Sequence, residues 1–258
     1  MKVKIESTHK VVAVKQNRDC GARSSVFTPV DTRARVETVI RRLGDAIELG
    51  LLADGEQLPR ESELAGQLGV STVTLREALM ALRQQGLVTT RRGRGGGSFV
   101  SLPAEPAEER ITARLAGWST EELRDLGDHW AAVSGAAARL AAQRTAPEDL
   151  QQLRRTLDEF AVAEDTAART RLYGRFHVEL AAAAQSARLT QEQVALQTEV
   201  GALLRLAFGD DACREAVADR HRSIVSAVQD GSLDSARELA ERCVGESMAR
   251  LIELRLTL

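Results

Sequence analysis

Between Leu58 and Val100 the chain reads LPRESELAGQLGVSTVTLREALMALRQQGLVTTRRGRGGGSFV, and the order of stripes and stops in it admits few folds. Leu64, Ala65 and Leu68 share one face of a short helix, Glu61 to Leu68. Gly69 follows, and glycine takes the left-handed backbone conformation that a tight turn between helices needs. Ser71 is placed to cap a longer helix, since its hydroxyl can accept from a backbone N–H two or three residues on. Leu75, Ala78, Leu79 and Leu82 form the apolar stripe of that helix, so Thr72, Arg76, Met80 and Arg83 point the other way. Gly86 ends it. Two short strands, Leu87 to Thr90 and Ser98 to Val100, then flank the tip RRGRGGG. Helix, turn, capped helix and hairpin make a winged helix-turn-helix.

The flanks complete a two-part plan, which a chain of 258 residues is long enough to hold. Val36, Val39, Ile40, Leu43 and Ile47 predict a helix from Asp31 or Thr32 to Leu49, stopped by Gly50. Asp54-Gly55 supplies the turn after it. Residues 1–27 have no helical period and read as a flexible basic arm, so the winged helix-turn-helix unit is placed at 28–101. Residues 102–108, with Pro103, Pro106 and several acids, read as a linker. From 109 to 258 the pattern is helical throughout. Ser119 with Glu122 forms a capping box, and Thr145 with Glu148 a second, with Pro147 in the first turn. Further helices are expected over 166–186, 189–207, 211–229 and 233–256, and a short one over 108–116, six or seven in all. The fold class is mainly α, a winged unit followed by an all-α bundle.

Composition agrees with this plan. Aromatic residues are 3% of the chain, and a core of Ala and Leu suits helix packing better than stacked sheets. No apolar run approaches the ~18 residues of a membrane span, and the basic N-terminus has no apolar core of a signal peptide. Three scattered cysteines fit a reducing compartment, so a cytoplasmic location is expected. The net charge of −2 hides an asymmetry: residues 1–100 carry 16 Lys+Arg against 11 Asp+Glu, and the remainder 19 against 26. A basic front and an acidic back suggest that one half meets a polyanion.

A major groove admits one helix, whose first turn reaches base edges while nearby donors hold phosphates. Ser71, Thr72 and Thr74 lie in that first turn, and its backbone N–H groups are phosphate donors. Arg76, one turn on, reaches a guanine edge or a phosphate. Arg91, Arg92 and Arg94 on the wing would follow the flanking backbone, with Gly95 allowing close approach. Arg83 reads as a solvated helix arginine.

The same stretch resembles the GntR family of bacterial winged-helix repressors, whose pattern runs LPSERELA, then GVSR.TVREAL..L...GLV, then a glycine-rich wing ending in FV. The resemblance implies a DNA-binding transcriptional regulator. Two positions depart from it: Ser62 and Thr72 stand where arginines that contact DNA are common, which leaves Arg76 with more of the reading.

The second half resembles the FCD ligand-binding domain of the FadR-type branch, through HWAAVSGAAARLAAQRTAPEDLQQL, RFHVEL and RHRSIVSAVQDGSLDSARELAERC. That resemblance implies a divalent metal held by one Asp and three His, beside a carboxylate effector. Here His177 and His221 match two of the histidines, but the Asp position is Tyr173 and the last His position is Cys243. The pocket's opening arginine and glutamate fall on Trp130 and Ser134. His177, His221 and Cys243 thus mark a degenerate site, for which no metal is assigned; a divalent metal such as zinc, whose ordinary ligands include His and Cys, stays open. Trp130 and Tyr173 make the pocket less polar, which points to a more apolar effector. His129 reads as a surface residue.

These signals predict a ligand-responsive repressor binding a palindromic operator as a homodimer. Two alternatives stay open: a constitutive DNA-binding regulator without effector, and a helical metal-dependent enzyme around His177 and His221. Against the enzyme, no nucleophile–base pair, phosphate loop or HExxH pair is present.

Overall fold

The computed structural model describes residues 35–102, 108–208 and 211–258. The predicted basic arm, the start of the first helix and most of the predicted linker lie outside them. Helix α1 (Arg35–Glu48) buries Val39, Leu43 and Ile47 of the expected stripe, together with Ala46, and leaves Val36 and Ile40 half-buried. It ends where Gly50 turns the backbone left-handed, at φ +66°. Helix α2 (Glu61–Leu68) closes on Gly69, also left-handed, and Val70 N–H bonds back to Ala65 O at 3.0 Å. Helix α3 (Thr72–Gln84) starts at Ser71, whose Oγ accepts from Thr74 N at 3.0 Å.

Strands β1 (Val88–Arg91) and β2 (Gly97–Val100) pair antiparallel, Val88 opposite Val100 and Arg91 opposite Gly97. The ladder runs one residue further into the tip than the sequence suggests, to the Arg91–Gly97 pair. Residues 55–58 lie along β2, with Gly55 N donating to Val100 O and Leu58 N to Ser98 O. Leu43, Ile47, Leu52, Leu64, Leu68, Leu75, Leu79 and Leu82 fill the core between these elements, and Val88 and Val100 seal it from the hairpin side.

Among the described residues seven helices follow: α4 (Glu108–Ala116), α5 (Thr120–Arg144), α6 (Pro147–Val162), α7 (Thr166–Ala183), α8 (Ala187–Ala207), α9 (Asp211–Gln229) and α10 (Leu233–Thr257). The Ser119–Glu122 capping box is present. The expected Thr145–Glu148 box is not: Pro147 takes the first helical position, so the cap is Ala146, and Asp149 Oδ2 accepts from its N–H at 3.1 Å. The long α5 and α10 pack closely because α5 carries glycines where α10 brings large side chains. A Cβ at Gly127 would lie 3.1 Å from Met248 Cγ, and one at Gly135 would collide with the Glu241 carboxylate.

Every residue of helix α7 is buried or half-buried, as suits a helix between two cores. Its Tyr173, Phe176 and Leu180 belong to the core of the bundle, whereas Val178 belongs to the core of the winged unit. Leu49, just past α1, packs beside Gly174, where a Cβ would lie 3.5 Å from Leu49 Cδ2, an ordinary contact, and 3.3 Å from Gln197 Oε1. Glu179, also buried, is held by Thr156 (2.6 Å), Arg175 (2.8 Å) and Gln152 (3.0 Å), which ties α7 to α6. No described helix is long and apolar enough to cross a membrane.

Candidate DNA-reading face and effector centre

The outward face of α3 carries Thr72, Val73, Arg76, Met80 and Arg83, all exposed. Ser71 and Thr74 bond to each other through their hydroxyls at 2.8 Å, so both serve the cap while Ser71 stays exposed and Thr74 is half-buried. The Arg76 side chain is 67% exposed and its Nε donates to Glu61 Oε2 at 2.6 Å. Its two terminal amino groups have no partner among the described residues, so the fork keeps the donor pair that a guanine edge requires. Glu61 was not singled out from sequence, because it lies on α2, fifteen residues away. Arg83 does not stand free in solvent: its Nη1 donates to Thr90 Oγ1 at 3.3 Å.

On the wing, Arg92, Arg94 and Gly95 are exposed at the tip. Arg91 is also exposed, but its guanidinium lies over the Phe99 ring, 4.3 Å from the centroid, which restricts where it can reach. Gln57 Nε2 donates to Gly96 O at 3.1 Å and holds the tip against the preceding loop. Gly96 has no room for a side chain: a Cβ there would sit 2.5 Å from Arg91 O.

The six residues expected to line a pocket, Trp130, Ser134, Tyr173, His177, His221 and Cys243, are all buried in the bundle core. Ligand atoms of His177, His221 and Cys243 lie within 4.8 Å of one another. Tyr173 Oη bonds to Ser247 Oγ at 2.8 Å and is 3.9 Å from Cys243 Sγ. Around them is an aromatic wall: Phe176 stacks on His221 at 3.8 Å, Trp130 meets His177 edge-on at 5.4 Å, and Phe208 packs on Tyr173 at 4.8 Å. Ser134 does not join this ring cluster by a bond; its hydroxyl donates to Gln193 Oε1 on α8 at 3.2 Å. His129 is exposed and 3.3 Å from Glu192, a surface pairing.

Burial fixes the charge state here. It pushes His177 down to about 3 and His221 well below its ordinary value, so both imidazoles are neutral. It pushes the Cys243 thiol up to about 11 and the Tyr173 phenol well above its ordinary value. The Trp130 indole N–H, both nitrogens of both histidines and the Gln197 amide are buried without partners among the described residues. Ser247, Phe176 and Phe208 are the members that sequence reasoning missed; Ser247 alone left a trace, one helical turn after Cys243.

Comparison with known proteins names the two parts. Residues 35–97 match the family described as bacterial regulatory proteins, gntR family, and residues 125–246 match the FCD domain. A protein of Mycobacterium gastri named as an HTH-type transcriptional regulator, RmpR, is 34% identical over 238 residues, 92% of this chain and 87% of the relative. The chain belongs to the GntR family. The galactonate operon transcriptional repressor of Escherichia coli K12 is 26% identical over 236 residues, 86% of this chain and 99% of the relative. Among solved structures, E. coli McbR/YncC shares the fold at a TM-score of 0.50 and 18% identity, covering 86% of this chain and 99% of that one. A GntR-type helix-turn-helix joined to an FCD domain makes the chain a DNA-binding transcriptional regulator and not an enzyme.

FCD domains can bind metals or small-molecule effectors. The donors in this GntR chain differ from the one Asp and three His that the resemblance implied for a divalent ion. His177, His221 and Cys243 are close enough to share one, but they bring at most one negative charge, that of a thiolate. The position four residues before His177 holds the Tyr173 phenol, engaged with Ser247. Arg220, whose positive charge bears on Tyr173, His221 and Cys243, is paired with Glu246, and no acid among the described residues joins the three donors. An ion here would leave a net positive charge inside an aromatic shell, which is costly without a compensating anion.

Proposed function

We propose that this GntR-family regulator is a repressor that binds a palindromic operator as a homodimer and answers to an effector held at the aromatic centre of its FCD domain. The observation that supports this reading best is α7, which places Tyr173 and His177 in the bundle core and Val178 in the winged-helix core. A ligand that shifts α7 therefore moves residues that belong to both halves. It can change DNA binding only by its different affinity for the two placements of the winged helix.

In this reading the DNA-binding unit spans 28–101 and the effector and dimerisation unit 109–258, joined by 102–108. Thr72 and Arg76 face base edges, the capped N-terminus of α3 (Ser71, Thr74) faces a phosphate, and Arg91, Arg92, Arg94 and Gly95 follow the flanking backbone. Double-stranded DNA and a second copy of the chain are its partners, and the compartment is the cytoplasm. The effector is uncharged and carries both hydrogen-bond donors and acceptors, because Trp130, His177, His221 and Gln197 offer both kinds and no net charge. The centre works without a metal.

The test is an anisotropy titration with the duplex upstream of the regulator's own gene, for the wild type and Arg76→Ala, alongside light scattering. A dimer that binds the duplex selectively, with a large loss in the variant, supports the reading. A monomer, or equal binding by both proteins, contradicts it.

A further inference from the structure

Val73 is 62% exposed and Met80 53% exposed, so two of the five large exposed hydrophobics among the described residues lie on α3. A single exposed apolar residue is ordinary on a protein surface. Val73, however, stands in the first turn, between Thr72 and Thr74 and two residues after the Ser71 cap, on the side away from Leu75, Ala78 and Leu79. It shares the outward face with Arg76, one turn along. The only apolar group that a base edge presents in the major groove is the C5-methyl of thymine. A β-branched side chain suits such a contact, because in a helix valine is held in one strongly preferred rotamer and has little freedom to lose on binding.

Spacing sets where the methyl should be. Three helical residues separate Val73 from Arg76 by about 4.5 Å along the axis. One base-pair step is about 3.4 Å. We propose that Val73 is a specificity-determining residue that packs on a thymine methyl within one or two steps of the guanine read by Arg76. The inference rests on the reading that α3 enters the major groove. It adds a base preference that the polar residues of the first turn do not supply.

Deoxyuridine tests this, because it removes the methyl and nothing else. The operator is first selected by the wild-type protein from a pool of random duplexes, and each thymine is then replaced singly by deoxyuridine. One thymine per half-site, near the guanine, is expected to weaken wild-type binding about fourfold when its methyl is removed, the value of one buried methylene-sized group. Val73→Ala should bind the normal operator with a similar loss and be indifferent to that one deoxyuridine. Met80→Ala, seven residues and about 10 Å further along the helix, should keep the full wild-type response.

Additive losses for Val73→Ala and the deoxyuridine would overturn the proposal, as would a variant that binds both duplexes like the wild type. Arg76→Ala separates the two readings. If it abolishes selective binding while Val73→Ala and the methyl show no coupling, only the role of Val73 fails. If Arg76→Ala, Val73→Ala and every deoxyuridine are all without effect, α3 does not read the groove at all. Because Val73 is exposed, Val73→Ala should melt with the wild type, which keeps a folding defect from imitating the result.

Discussion

The outward face of α3 and the centre beneath α7 solve opposite problems. The first presents two arginines, a threonine and two apolar side chains to solvent, with Arg76 held by a single bond to Glu61. The second hides two imidazoles, a thiol and a phenol in an aromatic shell from which burial has removed the charge. A polyanion is recognised by charge and by donors in fixed places; an uncharged ligand is recognised by shape and by matched hydrogen bonds. The chain keeps the winged-helix frame its family pattern describes, with Ser62 and Thr72 in place of two arginines, and at the sensing end departs from the charged, metal-bearing set that the resemblance implied.

Predictions that strain this contrast can be ranked by size. Arg76→Ala should lower operator affinity ten- to a hundredfold, about 1–3 kcal/mol, while weakening binding to unrelated duplex much less. Anisotropy titrations at fixed salt check it, and equal losses on both duplexes would assign Arg76 to phosphate.

The next effect belongs to the centre and runs with pH. His177 and His221 have folded-state pKa values pushed below the ordinary 6.5 by burial, so the stability of the neutral pair is complete above about 6.5. It is lost as pH falls from there toward the folded value of about 3 for His177. Each histidine should cost about 1.4 kcal/mol per pH unit in that window, so urea midpoints should drop steeply between pH 7 and pH 5.5. His177→Leu should flatten that slope by about half; an unchanged slope would show that the imidazole is not buried neutral.

Tyr173→Phe removes the 2.8 Å bond to Ser247, at about 1 kcal/mol, and should lower Tm by about 2–4 °C with operator affinity intact. A loss of DNA binding without a loss of stability would mean that the phenol signals rather than packs. Smallest is Glu61→Gln, which releases an exposed ion pair of about 0.2–1 kcal/mol. It should weaken specific binding about twofold or less, read by the same titration.

The two regions also differ in how far they could be read from sequence. The winged helix is local: Ser71, Gly69, Gly86 and the Leu75–Leu82 stripe each act within a turn or two, so caps, breaks and faces follow from neighbours in the chain. What escaped there was a pairing across the turn, Glu61 with Arg76; in the bundle, the proline offset that moves a helix cap from Thr145 to Ala146 escaped as well. The centre is built from contacts of long sequence separation, Tyr173 with Ser247 and Trp130 with His177. Periodicity marks those residues as inward-facing but cannot say which of them meet. Resemblance supplied His177, His221 and Cys243; it could not supply Phe176 or Phe208, whose rings help decide that the site is uncharged.

The central claim, a charged reader coupled to an uncharged sensor, is tested most directly by the metal content of the full-length protein. It would be purified without chelators from cells grown with added zinc and manganese, and assayed by mass spectrometry. The account predicts far less than one metal ion per chain, the same for the wild type and for His221→Ala. One zinc or manganese per chain in the wild type, lost in His221→Ala, would contradict it.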